Sequence, residues 1–526
     1  MANTLTLLRL PFVIIQLVFD RLSRKDLITF RLVSRKCNHL SEPFIFRTLL
    51  LHDGNLSPEC ILLQLLSRLC SAEDSLKDIV KHIQIGTSKH KDNYPGKEVL
   101  VKVLDNVKRL EDFTWHMRFG VPEEVMSMLS TKHPTARLHI SNKERNLSRG
   151  SYIPPDTKAL SSSQLYSLQY TAYGESVKMF DQKYVYFSEL STIKNALLQA
   201  KNLKRLAFQV NDSAATKEDF WTAGPSNLGF QDGDQFPALE DLSLEYEQYK
   251  LTEEHCQQWI KAMDWTKLRR LDLGRGAPEH LLVALTGQVP RLKSLKFGFW
   301  VFGQTWGIRD LNKFEAFSNS VEGLEELDAQ NFDAEDWKKA SNRLLSKHGH
   351  SLKSLHVDCC AAVAPGYKER DARTLVELCP NLENLRVQVA MVRDTSMGWQ
   401  ESKWPEATTA TFQALSKLRN LELIIRTDAY SHEFVVFSSG NKFPLEEASE
   451  QRAKQLWEQL ITSRADSVIE SVTVKFEAYY PLKTWAYTVH TRSHSQKKFE
   501  VTRDVSNIEK VWDVVTPAGT TWDPWA

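Results

Sequence analysis

The densest grouping of side chains able to bind a metal or move a proton lies between His348 and Cys360 of this 526-residue chain. His348, His350 and His356 precede the vicinal pair Cys359-Cys360, and imidazole with thiolate is the ligand chemistry of zinc. The spacing argues against a metal centre. No C-x-x-C pair and no H-E-x-x-H occurs anywhere in the sequence. The phosphate-cradling G-x-x-x-x-G-K-[ST] and the nucleophile turn G-x-S-x-G are also missing. Carboxylates are plentiful but scattered, as on a solvated face rather than in an acid/base pair. No catalytic residue, metal or cofactor is therefore expected.

Charge and composition narrow the classes further. Sixty-seven Lys and Arg against 66 Asp and Glu leave +1, so no global field draws the chain to nucleic acid or to a membrane surface. Seven cysteines (Cys37, Cys60, Cys70, Cys256, Cys359, Cys360, Cys379) are odd in number and unpaired in spacing. That usage suits a reducing compartment, hence the cytoplasm or nucleus. No run of about 18 apolar residues is present. Leu5 to Phe19 is apolar, but Arg9 and Pro11 interrupt it and Asp20-Arg21 follows without a cleavage site, so a helix of the fold is expected there.

The elements that must carry any site repeat themselves. An L-x-x-L-x-L signature recurs at Leu203/Leu206/Phe208, Leu239/Leu242/Leu244, Leu268/Leu271/Leu273, Leu292/Leu295/Phe297, Leu352/Leu355/Val357, Leu382/Leu385/Val387 and Leu418/Leu421/Leu423. Leu324/Leu327/Ala329 is a weaker copy. Fainter ones begin at Val80, Leu110, Thr135, Leu165 and Ile469. The alternating tail of each unit predicts a short strand with every second side chain buried. Between strands, 189–200, 279–286, 310–317, 335–345, 371–378 and 449–460 carry apolar residues three and four apart, the pattern of amphipathic helices. One strand and one helix cannot bury both apolar faces alone, so neighbouring units must stack. The expectation is an α/β solenoid, parallel strands on its concave face and helices on its convex face.

Stacking also fixes which side chains face out of the sheet. The predicted concave face carries Arg205, Glu245, Arg270, Lys296, Asp328, His356 and Arg386 among its polar positions. Mixed in sign, it suits a hydrated protein surface rather than an apolar small molecule. Trp300, clustered with Phe299, Phe302 and Trp306, is a candidate pocket wall. Polar insertions at 142–163, 211–237, 391–405 and 427–447 are expected as surface loops, with Trp221, Trp399 and Trp404 as candidate anchors for a partner. After Val474, residues 485–491 and 498–505 alternate about a polar turn at 492–497, predicting a hairpin over the last strand of the solenoid, with Trp522 to Trp525 folded back on it.

The N-terminal stretch has a different character. Leu10, Ile14, Val18 and Leu22 recur every four residues behind Pro11, and Ser23 opens a second helix through an S-x-x-D box with Asp26. Leu10-Pro11, Ile14, Asp26-Leu27, Arg31, Val33-Ser34-Arg35 and the 44–49 segment resemble an F-box, the helical motif that docks onto the Skp-type adaptor of cullin-RING ubiquitin ligases. Two positions depart from the pattern: Val13 stands where glutamate is common and Cys37 where tryptophan is usual. The repeats are similar to those of the leucine-rich-repeat class of F-box proteins, in the irregular form common in fungi. In that class Asn or Cys occupies the ninth position of a unit, where Cys360 falls, and this assigns it a turn role rather than a metal.

The resemblance implies an F-box at residues 8–51, a leucine-rich-repeat-like solenoid at 52–475 and a cap and tail at 476–526. It implies a non-catalytic, substrate-recognition subunit of an SCF-type ligase, monomeric within the complex. Leu10, Pro11, Ile14, Val18, Leu22, Leu27 and Val33 would meet the adaptor, and through it cullin; the repeats would hold an unknown target protein. The alternatives are a ligase-independent scaffold with a decayed F-box, which Val13 and Cys37 favour, and a small-molecule-dependent receptor.

Overall fold

The computed structural model describes residues 10–52, 64, 67–71, 75–86, 96–142, 154–178, 184–212, 227–245, 249, 251–274, 279–298, 311–332, 334–359, 369–389, 406–427, 469, 471–484, 487–492, 497–502 and 512–515. The chain forms two units, Met1–Leu239 with Lys261–Asp264, and Glu240–Ile260 with Trp265–Ala526.

The first unit opens with three short helices, α1 (Phe12–Phe19), α2 (Arg24–Arg31) and α3 (Arg35–Ile45). Pro11 starts α1, and its carbonyl accepts from the Ile14 and Ile15 amides. Ser23 caps α2: its Oγ accepts from the Asp26 amide at 3.1 Å and donates to the Asp26 carboxylate at 2.6 Å. Ser34 caps α3 through the Cys37 amide in the same way. Ile15, Phe19, Leu27 and Ile45 form the buried core of the trio, and Phe19 meets Phe30 and Phe44 edge-on at 5.1 Å each.

Only Phe46 and Arg47 separate α3 from strand β1 (Thr48–His52), the first strand of a parallel sheet. The sheet continues through β2 (His82–Gly86), β3 (Asp112–His116), β4 (Arg137–Asn142) and β5 (Leu165–Lys178) to β7 (Arg205–Asp212). Strand β6 (Tyr184–Ser188) folds back antiparallel on the far half of β5. Helices α4 (Leu76–Ile79), α5 (Lys97–Asn106), α6 (Glu123–Lys132), α7 (Thr157–Leu160) and α8 (Leu190–Leu197) alternate with the strands. All four faint repeats between Val80 and Tyr170 are strands, and β2 and β3 bury alternate residues as their pattern predicts.

Part of the 211–237 insertion is core rather than surface loop. Leu228, Phe230 and Phe236 are buried, and the Lys194 ammonium, itself buried, bonds the Gly229 carbonyl at 3.2 Å and Asp234 at 3.0 Å. Trp221, Trp300, Trp399 and Trp404, with most of the later insertions and the 449–460 helix, lie outside the described residues.

Among the described residues, the second unit holds eight parallel strands: β8 (Asp241–Glu245), β9 (Arg270–Asp272), β10 (Ser294–Gly298), β11 (Glu326–Phe332), β12 (Ser354–Cys359), β13 (Asn384–Val389), β14 (Asn420–Thr427) and β15 (Ser471–Thr484). The middle leucine of each signature stands in one row, from Leu242, Leu271 and Leu295 to Leu385, Leu421 and Val472, and every member is at most 2% exposed. Burying one such side chain contributes roughly 2 kcal/mol.

Helices α9 (Glu253–Ala262), α10 (Glu279–Leu285), α11 (Leu311–Ser320), α12 (Ala334–His348), α13 (Glu369–Leu378) and α14 (Glu406–Ala414) stand between strands in the chain. Phe314 of α11 packs on Phe297 of β10 with ring centres 4.9 Å apart. His348 closes α12, and Gly349 follows at a place with no room for a side chain: an added Cβ would lie 2.3 Å from the Leu378 carbonyl oxygen.

The C-terminal strands differ from the simple hairpin expected. β16 (Tyr487–Arg492) pairs antiparallel with the second half of β15, while β17 (Lys497–Thr502) pairs antiparallel with its first half. The long β15 offers two pairing segments, so the two strands lie along it end to end instead of pairing with each other. β17 does cover the outer edge of the last parallel strand, and β18 (Trp512–Val515) pairs with β17. Each unit is an open α/β arrangement of the solenoid kind, with no closure into a barrel.

Candidate functional site

The first candidate site is the outer side of the N-terminal helices. Helix α1 is apolar on all sides, so its own core can cover only part of it. Ile15 and Phe19 turn inward, with Leu10 and Val18 partly buried against them. Val13, Ile14 and Leu17 are left exposed on α1, Leu22 follows it, and Ile28, Leu32 and Val33 are exposed on and just after α2. Leu32 is 80% and Val33 72% exposed. Single exposed leucines are ordinary, but seven large apolar side chains within 21 residues of sequence call for a partner.

This placement corrects one expectation. Leu27 is 4% exposed and belongs to the core, because the turn between α1 and α2 points it back toward Ile15 and Phe19. Pro11, Ile14, Leu22 and Val33 do reach the surface. Leu17, Ile28 and Leu32, not singled out from the sequence, join them. The four-residue rhythm concealed them, since a strict i, i+4 row drifts around a helix of 3.6 residues per turn. Val13 lies on the exposed side, where an apolar residue enlarges the uncovered area; Cys37 is buried.

The second candidate is a trough of about 630 Å³ on the strand face of the second unit. In-register pairing builds its floor from two rows of side chains. The upper row runs Asp241, Arg270, Ser294, Glu326, Ser354, Asn384, Asn420, Ser471; the lower runs Ser243, Asp272, Lys296, Asp328, His356, Arg386, Glu422, Thr473. The lower row pairs its own charges between neighbouring strands: Lys296 with Asp272 at 3.2 Å, His356 with Asp328 at 2.7 Å, and Arg386 with Glu422 at 3.2 Å. Burial pushes the Asp272 carboxyl up despite Lys296. At Asp328 burial acts the same way, but the bond and charge of His356, the Lys296 charge and a bond from Gln330 together outweigh it and hold the carboxyl below its ordinary value. At the far end of the upper row Ser471 donates to Asn420 and Asn420 to Asn384, at 2.6 and 2.7 Å.

The structure therefore brings Arg270, Lys296, Asp328, His356 and Arg386 together. Arg205 belongs to the first unit, and the side chain of Glu245 and the whole of Trp300 lie outside the described residues. The histidines of the metal candidate separate. His348 is buried, its Nδ1 accepting from the Leu324 amide at 3.3 Å and its Nε2 donating to the Ser318 carbonyl at 3.1 Å, and burial lowers its pKa. His356 serves Asp328, and the side chains of Cys359 and Cys360 lie outside the described residues.

A third candidate, a polar cluster in the first unit, was not visible in the sequence. Asp112 accepts from Arg137 Nε and Nη2 at 2.7 and 2.8 Å, from His139 Nε2 at 2.8 Å, and pairs with His82 Nδ1 at 2.8 Å. His139 Nδ1 meets Ser167 Oγ at 2.7 Å. The Ser-His-Asp order has the look of a nucleophile relay, yet Asp112 is shared with Arg137 and His82, which makes the cluster a lock across β2, β3, β4 and β5. A register shift between Leu138 and His139 places Tyr166 outside the pairing, and the Arg137 guanidinium lies over its ring at 5.0 Å.

Among the described residues, no group of three or more His, Cys, Asp or Glu is disposed to hold a metal ion, and no helix is long and apolar enough to cross a membrane.

A helical trio with an uncovered apolar side leads directly into a strand-and-helix array. Residues 7–48 match the F-box domain family, whose members bind Skp-type adaptors. No curated protein matches the chain.

Proposed function

We propose that this protein is the substrate-recognition subunit of an SCF-type ubiquitin ligase. The F-box binds a Skp-type adaptor, through it cullin, and the repeat units hold a target protein. The observation that carries this reading is the uncovered apolar side of α1 and α2, built around Ile14, Leu17, Leu32 and Val33 within the F-box match. The protein supplies no catalytic residue to ubiquitin transfer. Its contribution is proximity, raising the effective concentration of target near the loaded conjugating enzyme.

The self-paired, mixed-sign trough supports a protein target over an apolar small molecule. Exposure of Val13 supports docking over a decayed F-box, since it adds to the apolar side rather than interrupting it. The test is capture of Skp-type adaptor and cullin by the intact chain and by an Ile14→Asp, Val33→Asp double variant. Both positions are exposed, so the variant tests the surface without touching the core. Capture by the intact chain and its loss in the variant support the reading; no capture by either points to the ligase-independent scaffold.

A further inference from the structure

The trough of the second unit has two charged side chains, Arg270 and Glu326, that make no ion pair or hydrogen bond among the described residues. Arg270 and Glu326 stand in the upper row on β9 and β11, with Ser294 of β10 between them and the buried Asp241 of β8 on the other side of Arg270. Both are exposed. Glu326 adds to the field that keeps Lys353 protonated but does not bond it. Directly below, the charges are already matched, Lys296 to Asp272 and Asp328 to His356. Beyond Glu326, the row continues with Ser354, Asn384, Asn420 and Ser471, all uncharged.

Geometry sets the spacing of a complementary ligand. Neighbouring strands lie about 4.8 Å apart, so Arg270 and Glu326 are separated by roughly 9.6 Å across the sheet. An extended chain in the polyproline II conformation rises about 3.1 Å per residue and returns to the same face every third residue, about 9.3 Å on. The two periods agree. Over β12 to β15 the described charges, His356, Arg386 and Glu422, are already paired with Asp328 or with each other, whereas hydroxyl and amide groups of a ligand find Asn384 and Asn420.

We propose that the trough takes an extended segment of a target protein that carries a carboxylate over Arg270 and, three residues away, a cation over Glu326, with uncharged polar residues continuing across β12 to β15. This rests on the reading of the repeats as the target-holding part of a ligase subunit and names the chemistry they recognise. A wholly acidic segment, such as one bearing several phosphates, meets Glu326 and a lower row without spare cations. A wholly basic one meets Arg270.

The experiment is selection from a displayed library of random dodecapeptides on the immobilised full chain, alongside an Arg270→Glu, Glu326→Arg double variant. The expected wild-type pool is enriched about tenfold in peptides with an acid and a base three residues apart, beside Asn, Gln, Ser or Thr. The double variant selects the pair in the opposite order relative to the polar stretch. Wholly acidic, basic or apolar pools, a pool unchanged by the swap, or no enrichment overturn the proposal. The same two proteins are offered Skp-type adaptor. Capture by both with failed selection removes this inference alone, and successful selection without capture removes the ligase reading alone.

Discussion

Ile14 and Ile15 are adjacent in the chain and face opposite ways: Ile15 is 4% exposed in the core of the three-helix unit, and Ile14 is 43% exposed on its outer side. One residue of offset thus separates a side chain of the helical core from one on its surface. Replacing each by aspartate separates stability from docking. Ile15→Asp buries an unpaired carboxyl among Phe19, Leu27 and Ile45 and is expected to cost about 3–5 kcal/mol, unfolding the trio. Ile14→Asp changes stability by less than about 1 kcal/mol. Thermal melts of the two variants check the contrast; equal destabilisation would show that the outer side is also packed.

Gly349 sits at a close approach between successive repeats. A Cβ there meets the Leu345 and Leu378 carbonyl oxygens at 2.5 and 2.3 Å, and backbone has little freedom to retreat. Gly349→Ala should lower stability by about 2–3 kcal/mol. Denaturant unfolding measures this, and an unchanged midpoint would refute the tight joint.

Stability should fall on mild acidification. His255 is buried against Tyr249, whose hydroxyl lies 2.9 Å from its Nε2, and burial pushes its pKa down to about 4 from 6.5. The folded protein holds His255 neutral while the unfolded chain takes up a proton below 6.5. Its contribution is therefore complete above pH 6.5 and is lost as pH drops toward 4, by roughly 3 kcal/mol in total. Buried His348, also lowered, acts in the same direction. Urea midpoints at pH 7.5 and 5 should differ, and His255→Gln, which cannot titrate, should narrow the gap.

Asp112 has the opposite dependence on charge. Burial raises its pKa, but the bonds from His139, His82 and Arg137 outweigh that and hold the carboxyl far below the usual range. Its stabilisation is present above the ordinary carboxylate pKa and disappears only in strong acid. Asp112→Asn leaves three donors around a neutral amide; with Arg137 half exposed, the expected loss is about 2 kcal/mol at pH 7. A midpoint within error of the wild type would assign the cluster no role in joining the strands.

Much of this architecture can be read from local patterns. The i, i+3, i+5 rhythm of Leu268, Leu271 and Leu273 marks β9 because strand alternation is a local property. Even Val80, Ile83 and Ile85 marked β2. The S-x-x-D box placed the start of α2 for the same reason. Pairing is not local. Lys296 finds Asp272 24 residues earlier, and Arg386 finds Glu422 36 residues later, only because register aligns them, so the sequence shows the trough's residues but not their pairing. The Asp112 cluster needs four strands and a register shift, neither encoded near Asp112 itself. Strand β1 was hidden behind the helical pattern preceding it, and Leu27 looked like a docking residue because an apolar stripe does not say which side has a partner.

The measurement closest to the central claim is titration of purified Skp-type adaptor against the intact chain and against the Ile14→Asp, Val33→Asp double variant, with a melt confirming that the variant is folded. The account expects saturable binding by the intact chain and a loss of at least about 100-fold in the variant. Binding unchanged in the folded variant, or absent from the intact chain, would contradict it.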